Sequence, residues 1–242
     1  MLYGIIADIH SNLEAFRTVL HELRGADQII SLGDIVGYGP DPSECIALMQ
    51  EKKISSVAGN HDKAAVGEMS PEWFNESARR AIEWTNEKLA DNDVRYLRSL
   101  PLTLEFPGFQ IVHGSLCEPL EEYIETLGEA AASMELTAKP LLYVGHSHVP
   151  MSVVMNGEGR LDGWALKDNQ SIRISDYQKV LINPGGVGQP RDGDPRASFG
   201  IYDSEKKEFT LHRIGYNVSA VQEKMKKAGL PKPLIDRLSS GV

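Results

Sequence analysis

Short apolar runs alternate with polar turns in the first part of this chain, and the spacing of the apolar positions switches between strand and helix periods. Leu2 to Ala7 is an apolar run of strand length and predicts a buried strand. After the polar turn Asp8 to Asn12, apolar side chains at Leu13, Phe16, Leu20 and Leu23 fall at helical spacing. A helix is expected there, capped by Ser11 or Asn12. Gln28 to Leu32 predicts a second strand, Ser43 to Lys52 a helix entered through Asp41-Pro42, and Ile54 to Ala58 a third strand. This order predicts βαβ crossovers and a parallel sheet.

Between Lys63 and Pro101 the pattern turns helical and charged. Ser70-Pro71-Glu72 has the signature of a helix start, because proline's missing N–H costs nothing in a first turn. A run through Trp73, Ala81, Trp84 and Leu89 follows, and a break is expected at Asp91-Asn92-Asp93. This excursion reads equally as a helical layer over the sheet or as a wall or lid over a site. Strands are expected at Leu102 to Phe106, Phe109 to Val112, Leu141 to Val144, Met151 to Met155, Lys179 to Ile182, Ala197 to Tyr202 and Glu208 to Ile214. Several lie only a few residues apart, as antiparallel strands do. A helix is expected near Leu120 to Met134, and two more in Val218 to Val242, broken at Pro231. No repeat and no Ser/Gly linker divides the chain. One domain is expected over 1–242, with a helical excursion at 63–101 and a helical tail at 218–242.

The chain has 242 residues, 41% of them apolar and 24% charged, enough to bury a sizeable core. The net charge of −9 argues against long nucleic acids and anionic membranes as partners, since that binding runs on Lys and Arg. No apolar stretch is long enough to span a bilayer, and the N-terminal apolar run meets Asp8 too soon for a signal-peptide core. A cytoplasmic location is expected. Cys45 and Cys117 form no CxxC pair and read as small hydrophobes; Cys117, just past His113, is open to oxidation if exposed.

Five polar clusters each end an apolar run and together hold five of the seven histidines: Asp8-Ile9-His10, Gly33-Asp34, Gly59-Asn60-His61-Asp62, Val112-His113-Gly114 and Gly145-His146-Ser147-His148. Polar loops after strand ends are the usual ligand position in open α/β sheets. Each piece alone has a plain alternative: a surface turn, a cap, a left-handed turn residue or a hydrogen-bonded core histidine. Taken together they supply seven oxygen or nitrogen donors: Asp8, His10, Asp34, Asn60, His113, His146 and His148. Seven are too many for one tetrahedral zinc. They suit two cations sharing a carboxylate, about 3.5–4 Å apart. His21, in a helix, and His212, in a late strand, are expected to be exposed or structural.

The order D-x-H, G-D, G-N-H-D, H, G-H-x-H, from Asp8 to His148, resembles the calcineurin-like metallophosphoesterase superfamily. The D-I-H-x-N opening (Asp8 to Asn12) and the N-P-G-x-V-G segment (Asn183 to Gly188) look most like its small bacterial and archaeal phosphodiesterase branch. The resemblance implies an α/β fold of two stacked mixed sheets flanked by helices, a four-layer αββα sandwich. It implies that Asp8, His10 and His148 hold one metal, that Asn60, His113 and His146 hold a second, that Asp34 bridges them, and that His61 faces the substrate. The activity implied is phosphodiester or phosphomonoester hydrolysis of a small phosphorylated or nucleotide substrate. A hydroxide bridging two divalent cations would attack phosphorus, and His61, oriented by Asp62, would protonate the leaving oxygen or stabilise its charge. Manganese is the favoured metal, with iron, zinc, nickel or magnesium as alternatives.

The chain departs from the Ser/Thr protein phosphatases, which carry G-D-x-x-D-R-G and G-N-H-E; here Val36-Gly37 runs on with no second Asp and no Arg, and Asp62 stands in place of the Glu. A protein phosphatase is therefore the second reading, and a nucleotide-binding regulatory or scaffold protein with little turnover is the third. Arg191 is a candidate either for phosphate binding or for pairing with a nearby carboxylate, and Arg196 for pairing with Asp192, Asp194 or Asp203. Asn12 and Tyr38 are candidates to line the substrate cleft, with cap and turn roles as alternatives. A homo-oligomer is compatible with the sequence.

Overall fold

The computed structural model describes residues 1–242. In chain order its main elements are β1 (Leu2–Ile6), α1 (Leu13–Glu22), β2 (Gln28–Ser31), α2 (Pro42–Glu51), β3 (Ser55–Ser56), α3 (Asn60–Ala65), α4 (Glu76–Lys88), α5 (Asp91–Ser99), β4 (Thr103–Phe106) and β5 (Phe109–Val112). There follow α6 (Leu127–Glu135), β6 (Leu141–Tyr143), β7 (Met151–Met155), β8 (Leu161–Ala165), β9 (Ser171–Arg173), β10 (Lys179–Asn183), β11 (Ala197–Asp203), β12 (Glu208–Ile214), α7 (Val218–Lys227) and α8 (Lys232–Arg237). They build two six-stranded mixed sheets, β3-β2-β1-β11-β12-β9 and β4-β5-β6-β10-β7-β8.

Strand alternation sets the layers. In β1, Tyr3 and Ile5 face the second sheet while Ile6 faces the helices; in β10, Val180 and Ile182 face the first sheet while Leu181 faces α6. Because every second residue points the same way, a strand buried on both faces is apolar throughout. The inter-sheet core is aromatic, with the Tyr3 ring edge-on to Phe109 at 5.2 Å. Helices α1, α2 and α5 cover the outer face of the first sheet, and α6 covers that of the second. The result is the four-layer αββα sandwich that the resemblance implies.

Two sets of parallel strands, β1-β2-β3 and β5-β6-β10, aim their C-terminal ends at one edge of the sandwich. All five polar clusters lie there. The segment after β10 lies against the end of β1: Val187 N donates to Ala7 O and Gly188 N to Asp8 O, both at 2.9 Å.

Several boundaries differ from the expected ones. Ser70-Pro71 starts only one 3₁₀ turn, Pro71–Trp73. The chain then extends so that Phe74 can reach His61, at 4.9 Å between rings, and α4 begins after Asn75, whose side chain accepts from Ala78 N at 3.0 Å. Asp91 to Asp93 is the first turn of α5 and not a break, because Asp93 accepts the Ala90 N–H at 3.1 Å and acids favour a helix N-terminus. Helix α6 starts at Leu127, where Thr126 and Glu129 form a capping box, and not near Leu120. Strands β8 and β9 had no sequence signal: β8 is mostly exposed along its length and β9 is three residues long. Helices α7 and α8 pack on α4 and Tyr38 through Val221, Leu234, Ile235 and Leu238. No helix is long and apolar enough to cross a membrane.

Candidate metal centre

The loops that leave the parallel strands are tightly turned. Asp8, His10, Asp34, His146 and His148 all have positive φ, between 47° and 67°. A left-handed non-glycine residue costs roughly 1–2 kcal/mol, and such residues cluster where surrounding structure enforces them for function. Here the loops hold one another. Asp8 N donates to Gly33 O, His10 N to Asp34 O and Ser11 N to Ile35 O, at 2.9–3.1 Å. Gly59 approaches so closely that a Cβ there would overlap the Asp34 carboxylate.

Two groups of donors result: Asp8, His10, Asp34 and His148, and Asp34, His113 and His146. Within each group the donor atoms lie within 4.8 Å of one another, and every member is buried. Asp34 belongs to both, with its Oδ2 3.5 Å from His10 Nε2 and 3.5 Å from His113 Nε2. His10 Nε2 faces His148 Nε2 at 3.0 Å, and His113 Nε2 faces His146 Nδ1 and Asn60 Oδ1, each at 3.1 Å. Three histidines are fixed from behind. Their Nδ1 atoms meet the carbonyls of Val36 (His10, 3.1 Å), Leu32 (His113, 2.8 Å) and Gln189 (His148, 2.5 Å). A carbonyl only accepts, so each Nδ1 carries the proton and each Nε2 lone pair points inward.

Lone pairs facing one another need a positive charge between them, and His10, His146 and His148 do not supply it. Burial, reinforced by the neighbouring His148, holds His10 well below the usual histidine range. Burial also pulls His146 down to about 2. The carboxylates show the same deficit: burial raises Asp8 to about 7, and burial with the charge of Asp62 raises Asp34 well above the carboxylate range. Asp8 Oδ2, Asp34 Oδ2 and His146 Nε2 are buried with no hydrogen-bond partner. This donor set of imidazole and carboxylate fits divalent cations, and their charge would remove each of these penalties.

His61 is held beside the cluster. Its backbone N donates to Asp34 Oδ1 at 2.9 Å, and its ring lies 4.8 Å from that of His10 and 4.3 Å from that of Tyr38. The expected orientation of His61 by Asp62 is absent. Asp62 turns the other way, accepting from Ile35 N and Val36 N on Oδ1 (2.9 and 3.1 Å) and from Gly59 N on Oδ2 (3.0 Å), while His61 Nδ1 has no partner. Three backbone donors around one carboxylate outweigh a single imidazole.

A cleft of about 430 Å³ opens beside the cluster, walled by Tyr38, Asn60, His61, His146 and Arg191. Tyr38 accepts from Arg191 Nη2 at 3.2 Å. Asn12 is used elsewhere: its Oδ1 caps α1 through Ala15 N at 3.1 Å, and its Nδ2 donates to Gly188 O at 2.8 Å. Arg196 pairs with Asp194, as expected, and with Asp168, which was not. Cys45 is buried and Cys117 exposed. His21 is exposed, and His212 stacks on Phe199. Sequence reasoning missed the outer walls of the cleft, Trp73, Phe74, Tyr123 and Arg237. They lie on loops and on the last helix, where no local pattern marks them.

Fold and site together define a four-layer αββα protein with a buried Asp/His cluster able to hold metal. Residues 1–207 match the calcineurin-like phosphoesterase superfamily domain, and the chain belongs to that superfamily. It is a metal-dependent phosphoric ester hydrolase. An uncharacterised protein of Methanocaldococcus jannaschii is 37% identical over 244 residues, spanning 99% of this chain and 98% of its own. The crystal structure of a metallophosphoesterase from Sphaerobacter thermophilus is 40% identical, with a TM-score of 0.91 and 100% of both chains covered. A hypothetical protein from Pyrococcus horikoshii OT3 shares the fold, with a TM-score of 0.82 at 21% identity over 100% of this chain and 98% of its own.

Proposed function

We propose that the chain is a phosphodiesterase of small phosphorylated or nucleotide substrates that works with two divalent cations, manganese first among them. The observation that carries this is the position of Asp34 Oδ2, 3.5 Å from a histidine of each donor group. Asp8, His10 and His148 would hold one cation and Asn60, His113 and His146 the other, with Asp34 between. When bound, the cations would neutralise phosphoryl oxygens and provide an activated water at neutral pH.

The chain's own residues do the rest. Arg191 is placed to grip a phosphoryl oxygen, and Tyr38 holds it there through the 3.2 Å hydrogen bond. His61, kept unprotonated by burial and by the charge of Arg191, is placed to hydrogen-bond the departing oxygen through a ring free of protein partners. Burial of the whole cluster excludes bulk water and strengthens each of these contacts. The cleft volume suits a nucleotide-sized ligand. Trp73, 83% exposed at its mouth, offers a flat face for a base, which favours a small aromatic substrate over a phosphoprotein. The cytoplasm is the compartment proposed, on composition.

The test is hydrolysis of bis(p-nitrophenyl) phosphate by metal-stripped protein, before and after manganese is added, with His61→Ala and Asp34→Asn alongside. Turnover that depends on metal and is lost in both variants supports the reading. No metal binding at all would refute it.

A further inference from the structure

Four arginines surround the segment that follows β10, and they divide into two kinds. Arg196 is paired with Asp194 and Asp168, and Arg213 with Asp192. Arg191 and Arg237 make no ion pair with any aspartate or glutamate, and both face the cleft beside the metal centre. They share one neutral partner: Arg191 Nη2 and Arg237 Nη1 each donate to Gln189 Oε1 at 3.2 Å. Two donors on one amide atom fix that atom as the oxygen. Gln189 is 1% exposed, so the amide is a rigid spacer that holds two guanidinium groups as close neighbours.

Like charges held together in a half-buried wall repel. Burial and the nearby charge of Arg191 lower the pKa of Arg237, and Arg191 Nε is buried without a partner. Their other contacts do not close the cleft side: Arg191 bonds the Tyr38 hydroxyl and lies against Tyr123, and Arg237 Nε donates to the main-chain oxygen of Val242, the last residue, at 2.5 Å. Glu121 is the one carboxylate residue lining the cleft, and it pairs with neither arginine. The apolar face of α8 packs on α4 and Tyr38, which sets Arg237 at the cleft wall.

We propose that Arg191, Gln189 and Arg237 form a second phosphoryl subsite, so that the natural substrate carries two phosphoryl groups close together, one at the metal centre and one here. The proposal rests on the phosphoester reading above and adds a substrate class to it. A substrate with an isolated phosphoester would engage Arg191 alone. One with a neighbouring phosphoryl group presents oxygens to both guanidinium groups, which suit bidentate recognition of phosphate.

The probes are inorganic phosphate and pyrophosphate. Each is measured on the manganese-loaded protein as an inhibitor of bis(p-nitrophenyl) phosphate hydrolysis and, separately, by calorimetry with free manganese held constant. The wild type is expected to hold pyrophosphate about tenfold or more tighter than phosphate, as an added charge-assisted pair would give. Arg237→Gln is expected to collapse that ratio and Arg237→Lys to restore part of it. Gln189→Glu, which places a carboxylate between the arginines, is expected to raise stability and also to collapse the ratio. A ratio near one in the wild type, or one unchanged in Arg237→Gln, overturns the subsite. Absence of hydrolysis with the calorimetric ratio intact would count against the phosphoester reading and leave the subsite standing.

Discussion

Asp62 accepts the backbone N–H of Ile35 at 2.9 Å, tying the start of α3 to the loop that carries Asp34. The bond makes Asp62 a strut for the metal centre. Asp62→Ala would strand three buried N–H groups, and a loss of about 3 kcal/mol or more is expected in urea unfolding. Metal affinity should fall at least about tenfold, as when a supporting partner of a ligand is removed. A variant with wild-type stability and metal content but lower turnover would return Asp62 to the role of orienting His61.

His61→Ala should behave in the opposite way. Metal content is expected to stay at the wild-type value, while kcat on a substrate with a poor leaving group falls about 10²- to 10⁴-fold. The loss should shrink as the leaving group improves. A uniform loss across leaving groups would argue that His61 acts elsewhere.

Metal binding should depend steeply on pH. Asp8, raised by burial to about 7, and Asp34, raised well above the carboxylate range, must both lose their protons to bind a cation, so affinity is expected to rise about tenfold or more per pH unit below 7. In the metal-free protein the raised pKa of Asp8 contributes stability that is full below 3.8 and lost as pH rises through 7. His146, lowered to about 2, opposes it: its contribution is present above 6.5 and lost as pH falls. The two slopes offset each other between 3.8 and 6.5, so affinity should change with pH far more than this pair changes stability. Calorimetry at several pH values, in buffers of different ionisation enthalpy, checks both the slope and the proton released.

Gly59→Ala should abolish the centre, since the new methyl group would occupy the space of the Asp34 carboxylate. The expected signs are metal content near zero and a lowered melting temperature. Normal metal content in this variant would show that the two loops can move apart.

Trp73→Ala should leave stability within about 0.5 kcal/mol, because the side chain is a surface one. Nucleotide inhibitors should weaken by about tenfold, the scale of one lost stacking contact. Equal inhibition in both proteins would remove the aromatic wall from substrate recognition.

The convergence of Asp8, Asp34, Asn60, His113, His146 and His148 was legible because each follows a short, largely apolar run of strand length, and parallel strands carry such ends to one edge. What escaped was the direction of side chains within that edge. Of the three donors that turn Asp62 away from its neighbour His61, Gly59 N is local, but Val36 N and Ile35 N lie 26 and 27 positions away and no local pattern announces them. Arg237 escaped for a similar reason, since its place beside Arg191 depends on how α8 packs on α4. The Ser70-Pro71 signal was sound as local chemistry, but the contact of Phe74 with His61 overrode it.

The first sheet supplies Asp8, His10, Asp34 and Asn60 to the cluster, and the second supplies His113, His146 and His148. Three of those histidines are also steadied by carbonyls from loops other than their own. No half of this chain therefore owns a binding site. The centre comes into being only when the two sheets close on each other, and a cation bound there acts as a rivet through the sandwich, so chelation should loosen the whole catalytic edge in hydrogen exchange while the far edge stays protected.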